Sequence, residues 1–557
     1  MTQPNSSLLL QPTRAGQRRV QRQRASLLGC SLGCLVAGCA ERYDIGAFRD
    51  TQPQLQTGDV PPSSPGVGVL LADGIEDADA LLEGVTRLAA ATPGDLDGDG
   101  FDDMVVTAAD DPSSLRILYG GPRPSDGAVR LAGRSSVLGL DEYRYSNALG
   151  GVPRHGDFDG DGANDLVFSV ADLNFSYPYG LSGEAAAERD AALADQVQRW
   201  ADQRAFLWYG SSERPAHVAF PNDAVAFRAG DDLSSDLARV LEERDPEEFE
   251  ANIGVGLELR WLGDVDGDGF GDLALSIGVS VTWGRDDPSS DAGFATRTRT
   301  QSVTYLYYGG ARLEVGGEAG SPDARLSGLT LAGLGDVNGD GLADVVAQAS
   351  DGSTQLEGDL PVLYSFAGSA QRLAGEVSVQ DLGVPVQTST SQGPYGVGDL
   401  DGDGIGDLLS WRFHEDQGSF DLVYGSPDLL QRPLDATRVS ATFAGRDLQL
   451  DMCDGGDYDG DGKSELLLWR RFWEGDGSSG YQSDQARLIP GSTTRYAGTY
   501  DLDIIQPSSE LRANGWYGAL PSPAGDFDGD GLGDVVLSNS SDVRIKFGAT
   551  LQSPVIR

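Results

Sequence analysis

One nine-residue pattern, D-x-D/N-G-D-G-x-x-D/E, occurs seven times along this chain, starting at Asp95, Asp157, Asp264, Asp336, Asp399, Asp457 and Asp526. Each copy packs three or four acids around two glycines, so each must be a sharp turn that manages concentrated negative charge. A strand-like apolar run follows, as in Asp103-Met-Val-Val-Thr, Asp165-Leu-Val-Phe-Ser and Asp534-Val-Val-Leu-Ser. The chain is therefore built from repeated units.

The acids stand at positions 1, 3, 5 and 9 of each copy. The sets are Asp95, Asp97, Asp99 and Asp103; Asp157, Asp159, Asp161 and Asp165; Asp264, Asp266, Asp268 and Asp272; and Asp336, Asn338, Asp340 and Asp344. The last three are Asp399, Asp401, Asp403 and Asp407; Asp457, Asp459, Asp461 and Glu465; and Asp526, Asp528, Asp530 and Asp534. Side chains at positions 1, 3 and 5 of a tight loop converge on one point. Calcium takes roughly six to eight oxygens at about 2.3–2.6 Å from carboxylates and carbonyls. Position 7 has no fixed identity (Phe101, Ala163, Phe270, Leu342, Ile405, Lys463, Leu532), as expected where only its carbonyl is used. Asn338 and Glu465 both still offer oxygen. The expectation is up to seven Ca2+, one per loop. An EF-hand is excluded, because position 12 is apolar (Val106, Leu275, Leu537) where that loop needs glutamate and a helix.

A second element follows each loop, an apolar strand ending in glycine. Examples are Ile117-Leu-Tyr-Gly, Leu207-Trp-Tyr-Gly, Leu306-Tyr-Tyr-Gly and Leu422-Val-Tyr-Gly. Each unit reads strand, acidic loop, strand, turn, glycine-ended strand and a weaker fourth strand. Four short strands per repeat predict an all-β propeller, here with seven blades. Two segments are candidates for closing the ring, Gly66-Val-Gly-Val-Leu-Leu and Pro554-Val-Ile-Arg. These residues resemble the FG-GAP (VCBS-type) repeat, the blade of integrin α-subunit propellers, over roughly residues 67–557. The resemblance implies that the acidic hairpin between the first two strands of each blade holds calcium. Nothing matches the separate inserted ligand-binding domain of integrins, so their adhesion partners do not carry over.

The N-terminus reads as a targeting segment. Arg14, Arg18, Arg19, Arg22 and Arg24 precede a short apolar stretch ending in Leu35-Val36-Ala37-Gly38-Cys39. Those five residues resemble a bacterial lipobox, which implies a signal peptide over 1–38 and lipid attachment at Cys39. Residues 39–66, rich in Gln, Pro, Ser and Thr, read as a flexible tether. The chain is then expected to be exported and anchored by lipid, at the outer membrane or cell surface. Cys453 is left alone, and reads as a buried small residue.

Three insertions interrupt the rhythm, at 173–203, 228–256 and 284–300. The first two carry apolar residues at helical spacing: Leu193, Val197 and Trp200, then Leu233, Leu237, Val240 and Leu241. All three fall on connections that share the rim opposite the acidic loops, which makes that rim the candidate binding face. A net charge of −45 argues against nucleic acid as a partner. Lys463 and Lys546 are the only lysines, and the dominance of arginine reads as genome composition. The three histidines, His155, His217 and His414, are scattered, and no G-x-S-x-G elbow or phosphate loop occurs in the repeat region 67–557. The reading is a non-enzymatic module that binds a protein or glycan at the cell surface. The alternative is a lectin-like propeller, with a carboxylate hydrolase behind it.

Overall fold

The computed structural model describes residues 79–548 apart from short internal stretches, the longest being 140–155, 350–362 and 503–510. The signal, the tether, Cys39, Cys453 and both candidate closing segments lie outside the described residues.

The described residues form seven sheets in chain order, and the fold is an all-β propeller with two long helices. The first sheet shows the plan. Val85–Gly94 leads into the loop at Asp95, and Asp103–Ala108, Leu115–Leu118 and Ser135–Gly139 follow, each antiparallel to its neighbour. Six of the sheets contain four or more strands. The second has three, Leu166–Ser169, Arg204–Trp208 and Val225–Arg228. Among the described residues a single bridge, Gly156 to Asp165, stands at the place of its first strand, and residues 140–155 just before it lie outside the described residues. The expectation of seven four-stranded blades is corrected to six, the three-stranded second sheet falling short of a blade among the described residues.

The ring is closed by residues that neither candidate segment included. Ala80–Glu83 pairs antiparallel with Val543–Lys546, so the N-terminal strand becomes the fourth strand of the last sheet. Outer edges are covered by the next sheet in turn. Segments just before a fourth strand add a parallel fifth strand to the preceding sheet: Ala128–Arg130 on Ala80–Glu83, His217–Ala219 on Ser135–Gly139, Gly375–Val377 on Ala324–Ser327, and Gly498–Asp501 on Ala441–Arg446. This blunts edges that would otherwise invite pairing.

Packing follows the period-2 alternation of a strand. In Asp103–Ala108 every residue is buried. Met104 and Val106 face a cluster with Phe527, Val536 and Ile545 of the last sheet, while Val105 packs with Phe168 and Phe206 of the second. Each second strand is thus sandwiched between neighbouring sheets, which explains its unbroken apolar run.

The three insertions come together. The first forms Phe175–Pro178 and a helix, Glu184–Ala201; the second forms a helix only over Asp232–Glu242, and from Glu248 the chain is already strand. The described residues of the third, 284–286 and 294–300, extend the paired strands Asp272–Asp286 and Phe294–Tyr307. Trp200, Leu233, Leu237 and Val240 are buried with Ile253, Val281 and Trp283, and Leu193, Val197 and Leu241 pack against them. The apolar helix faces are therefore spent on the fold.

Strand Ala80–Glu83 should be needed for closure, since Leu82 is almost wholly buried. A chain starting at residue 79 is expected to melt as the full chain does. One starting at residue 85 should lose cooperativity in thermal unfolding followed by circular dichroism. Leu82→Ala should cost about 2–5 kcal/mol.

Candidate metal centres

All seven loops adopt one geometry. The position-1 carboxylate folds back onto the turn, accepting N–H groups from positions 4 to 6; Asp264 takes Gly267 at 2.7 Å, Asp268 at 3.2 Å and Gly269 at 2.9 Å. The Oδ1 of position 5 accepts the position-7 N–H in every loop, as Asp99 does from Phe101 and Asp403 from Ile405. Positive φ is required of the glycines at positions 4 and 6, such as Gly267 at 77° and Gly269 at 89°.

Position 9 acts as a buckle. One oxygen accepts the N–H of position 2 and the other accepts the N–H of the glycine ending the third strand. Asp103 does so from Leu96 and Gly120, Asp165 from Phe158 and Gly210, and Asp272 from Val265 and Gly309. Asp344, Asp407, Glu465 and Asp534 repeat this with Gly368, Gly425, Gly491 and Gly548. A side chain has no room at those glycines: a Cβ on Gly309 would lie 2.6 Å from the Gly271 carbonyl oxygen. The repeated glycine-ended strand thus has a physical cause.

The loops also grip one another. The position-8 N–H of each loop donates to the position-1 carbonyl of the loop before it, as Asn164 does to Asp95, Gly271 to Asp157 and Ala343 to Asp264. Gly406, Ser464 and Gly533 continue the series onto Asp336, Asp399 and Asp457, and Asp102 closes the cycle onto Asp526. Position 7 packs across the same junction: Leu342 covers Gly267, Ile405 covers Gly339, and Lys463 covers Gly402. Its side chain is therefore used, and not only its carbonyl.

Liganding oxygens come within 4.8 Å of one another in at least five loops. The sets are Asp95, Asp97 and Asp99; Asp157, Asp159 and Asp165; Asp264, Asp266 and Asp272; Asp399, Asp401 and Asp407; and Asp457, Asp459 and Glu465. A cation fits them on an observation independent of the cluster. Asp97 Oδ1, Asp159 Oδ1 and Asp528 Oδ1 are buried with no hydrogen-bond partner, a costly state that a metal ion would relieve. Burial pushes the position-9 carboxyls up, to about 8 for Asp103, Asp165 and Asp534 and about 7 for Asp272, Asp407 and Glu465. Asp344 lies at about 6. A divalent cation would favour their ionised form. The fourth loop differs: Asn338 Nδ2 donates to Asp340 and Asp344 at 3.1 and 3.0 Å, so its amide presents nitrogen, not oxygen, to those carboxylates.

Sequence reading missed a set of arginines. Arg123, Arg312 and then Arg214, Arg372 and Arg495 stand three or four residues after a strand-ending glycine. Each pairs with positions 3 and 5 of the preceding loop, as Arg495 does with Asp401 and Asp403. Their placement is thus positional, and genome composition does not account for it. The tyrosines before the glycines are also occupied. Tyr209, Tyr308 and Tyr424 accept backbone N–H bonds through their hydroxyls and lie under Arg312, Arg372 and Arg495.

No protein-family model and no curated protein matches the chain. Among solved structures, that of the exotype rhamnogalacturonan lyase YesX is similar at a TM-score of 0.29 and 12% identity, covering 83% of this chain and 72% of the lyase. The expectation that the chain is not an enzyme is withdrawn on this finding, because a structure similar to it belongs to an enzyme. At that TM-score the likeness assigns this chain no activity and no substrate.

Removing the position-9 side chain in Asp103→Ala would orphan two buried N–H groups, at a cost of about 2–5 kcal/mol. In EDTA, stability should depend on pH with a definite sign. The folded position-9 values lie above the ordinary carboxyl range near 4. Their contribution is full below about pH 4 and is lost as pH rises through 6 to 8. The melting midpoint should therefore fall from pH 5 to pH 8 in EDTA, and the slope should flatten in excess calcium.

Proposed function

We propose that this chain is an exported, calcium-loaded propeller of seven FG-GAP-like repeats that works as a binding or adhesion module at a bacterial cell surface. The observation that carries the calcium reading is the buried, partnerless Oδ1 of Asp97, Asp159 and Asp528 beside other loop acids. Hard oxygen donors from carboxylates and backbone suit calcium better than a softer metal. In this reading the three-stranded second sheet counts as the seventh blade, with the Gly156–Asp165 bridge at the place of its first strand.

Anchoring through Cys39 rests on the lipobox resemblance of Leu35 to Cys39. Such an anchor and tether would hold the propeller at a membrane surface. The insertions support a binding role for the rim opposite the acidic loops, since they build an extra layer of two helices and an extended hairpin there.

Calcium titration of the chelator-treated chain should give saturable heat, and the melting midpoint should rise with calcium. An unchanged midpoint would reject the metal reading. The calcium-loaded chain, screened by pull-down and on a glycan array, is expected to retain a protein or glycan ligand. Deleting 184–201 should abolish retention if the opposite rim is the binding face.

A further inference from the structure

In every acidic loop, Oδ2 of the position-5 carboxylate meets a fixed donor from the chain itself. Five times that donor is an arginine from the following sheet: Arg214 on Asp99, Arg312 on Asp161 at 3.7 Å, Arg372 on Asp268, Arg495 on Asp403 at 2.8 Å, and Arg123 on Asp530. In the fourth loop it is Asn338 Nδ2, 3.1 Å from Asp340, and in the sixth it is the Lys463 ammonium on Asp461.

Two details separate the arginines from ordinary surface pairs. Each guanidinium also pairs with Oδ2 of position 3 and lies over the aromatic ring ending the third strand of the loop's own sheet. Arg312 is 4.3 Å from the Tyr209 ring, and Arg123, Arg214, Arg372 and Arg495 are 4.8 Å from Phe547, Tyr119, Tyr308 and Tyr424. The pairing also divides the position-3 carboxylates by atom. Oδ2 is taken, while Oδ1 of Asp97, Asp159 and Asp528 is left buried and unbonded. These loops thus have an outer row of oxygens neutralised by the chain and an inner row available to a metal.

We propose that the five arginines and Lys463 are built-in counter-cations, with the Asn338 amide as a neutral donor in the fourth loop, and that together they hold the loops in their metal-ready shape, so that the ring stays closed when calcium is withdrawn. Calcium then adds stability to a ring that is already closed. A planar forked guanidinium suits two carboxylates held side by side. Because each arginine belongs to the neighbouring sheet, neutralisation is complete only when the sheets are docked, which couples local charge to ring closure. The inference rests on the reading of the loops as calcium sites.

Hydrogen exchange on the full chain tests it. In EDTA the wild-type loop amides of Gly100 and Phe101 should stay protected. Arg214→Gln should speed their exchange by about tenfold in EDTA, and added calcium should restore the wild-type rate. Arg214→Lys, which keeps charge without the fork, should fall between. Wild-type loops that exchange freely in EDTA would overturn the inference, as would an Arg214→Gln chain that exchanges like wild type. Fast exchange in Arg214→Gln that calcium fails to slow would also overturn it, marking the arginine as a plain structural contact. Equilibrium dialysis of the wild type that finds no bound calcium would instead remove the calcium reading beneath it, a result distinct from each of these.

Discussion

The buried carboxylate at position 9 is the interaction from which the other regularities follow. It joins the start of an acidic loop to the glycine ending a strand 14 to 45 residues further along the chain. Once both oxygens are committed to backbone N–H groups, the third strand must end against the loop. The residue there must then be glycine, because the neighbouring carbonyl lies where a Cβ would go. That placement lets each loop rest on the one before it, carbonyl to N–H, until the last meets the first. Burying seven such carboxylates is costly, and the cost is offset only where every lone pair is used.

The same concentration of acid raises a charge problem that the chain handles at two levels. Arginines from neighbouring sheets, a lysine in one loop and an asparagine amide in another occupy the outer oxygens. The inner oxygens of several position-3 residues stay buried and unmet. A lone exposed ion pair contributes little. Here each guanidinium is fixed by two carboxylates and an aromatic ring, which ties its charge to the docking of two sheets. Apolar contact supplies part of that docking elsewhere: between the fourth and fifth sheets, Leu429 and Leu430 pack with Val337 and Leu408.

Departures from the repeat gather on the second and third sheets. The short second sheet borders an extended third sheet of six strands, and two helices pack onto the extension. Apolar helix stripes that invite interpretation as free binding surface are instead filled by Trp200, Leu237 and Trp283.

The amino-acid sequence alone determined the repeat, the turn geometry of the acidic loops, the rejection of the EF-hand and the all-β class. Each depends on spacings of a few residues, and short-range sterics and charge act at that range. It also placed positions 1, 3, 5 and 9 of each loop, acidic in every case except Asn338. Tertiary structure decided what links residues far apart: Ala80–Glu83 as the closing strand, the arginines on preceding loops, and the merging of three insertions into one layer. The arginine signal was present as a recurrence after five of the seven strand-ending glycines, but its offset wavers between three and four residues, and its partners lie on another repeat. Local spacing records what a segment must do by itself. Which segments meet is set by ring closure, which no single repeat encodes.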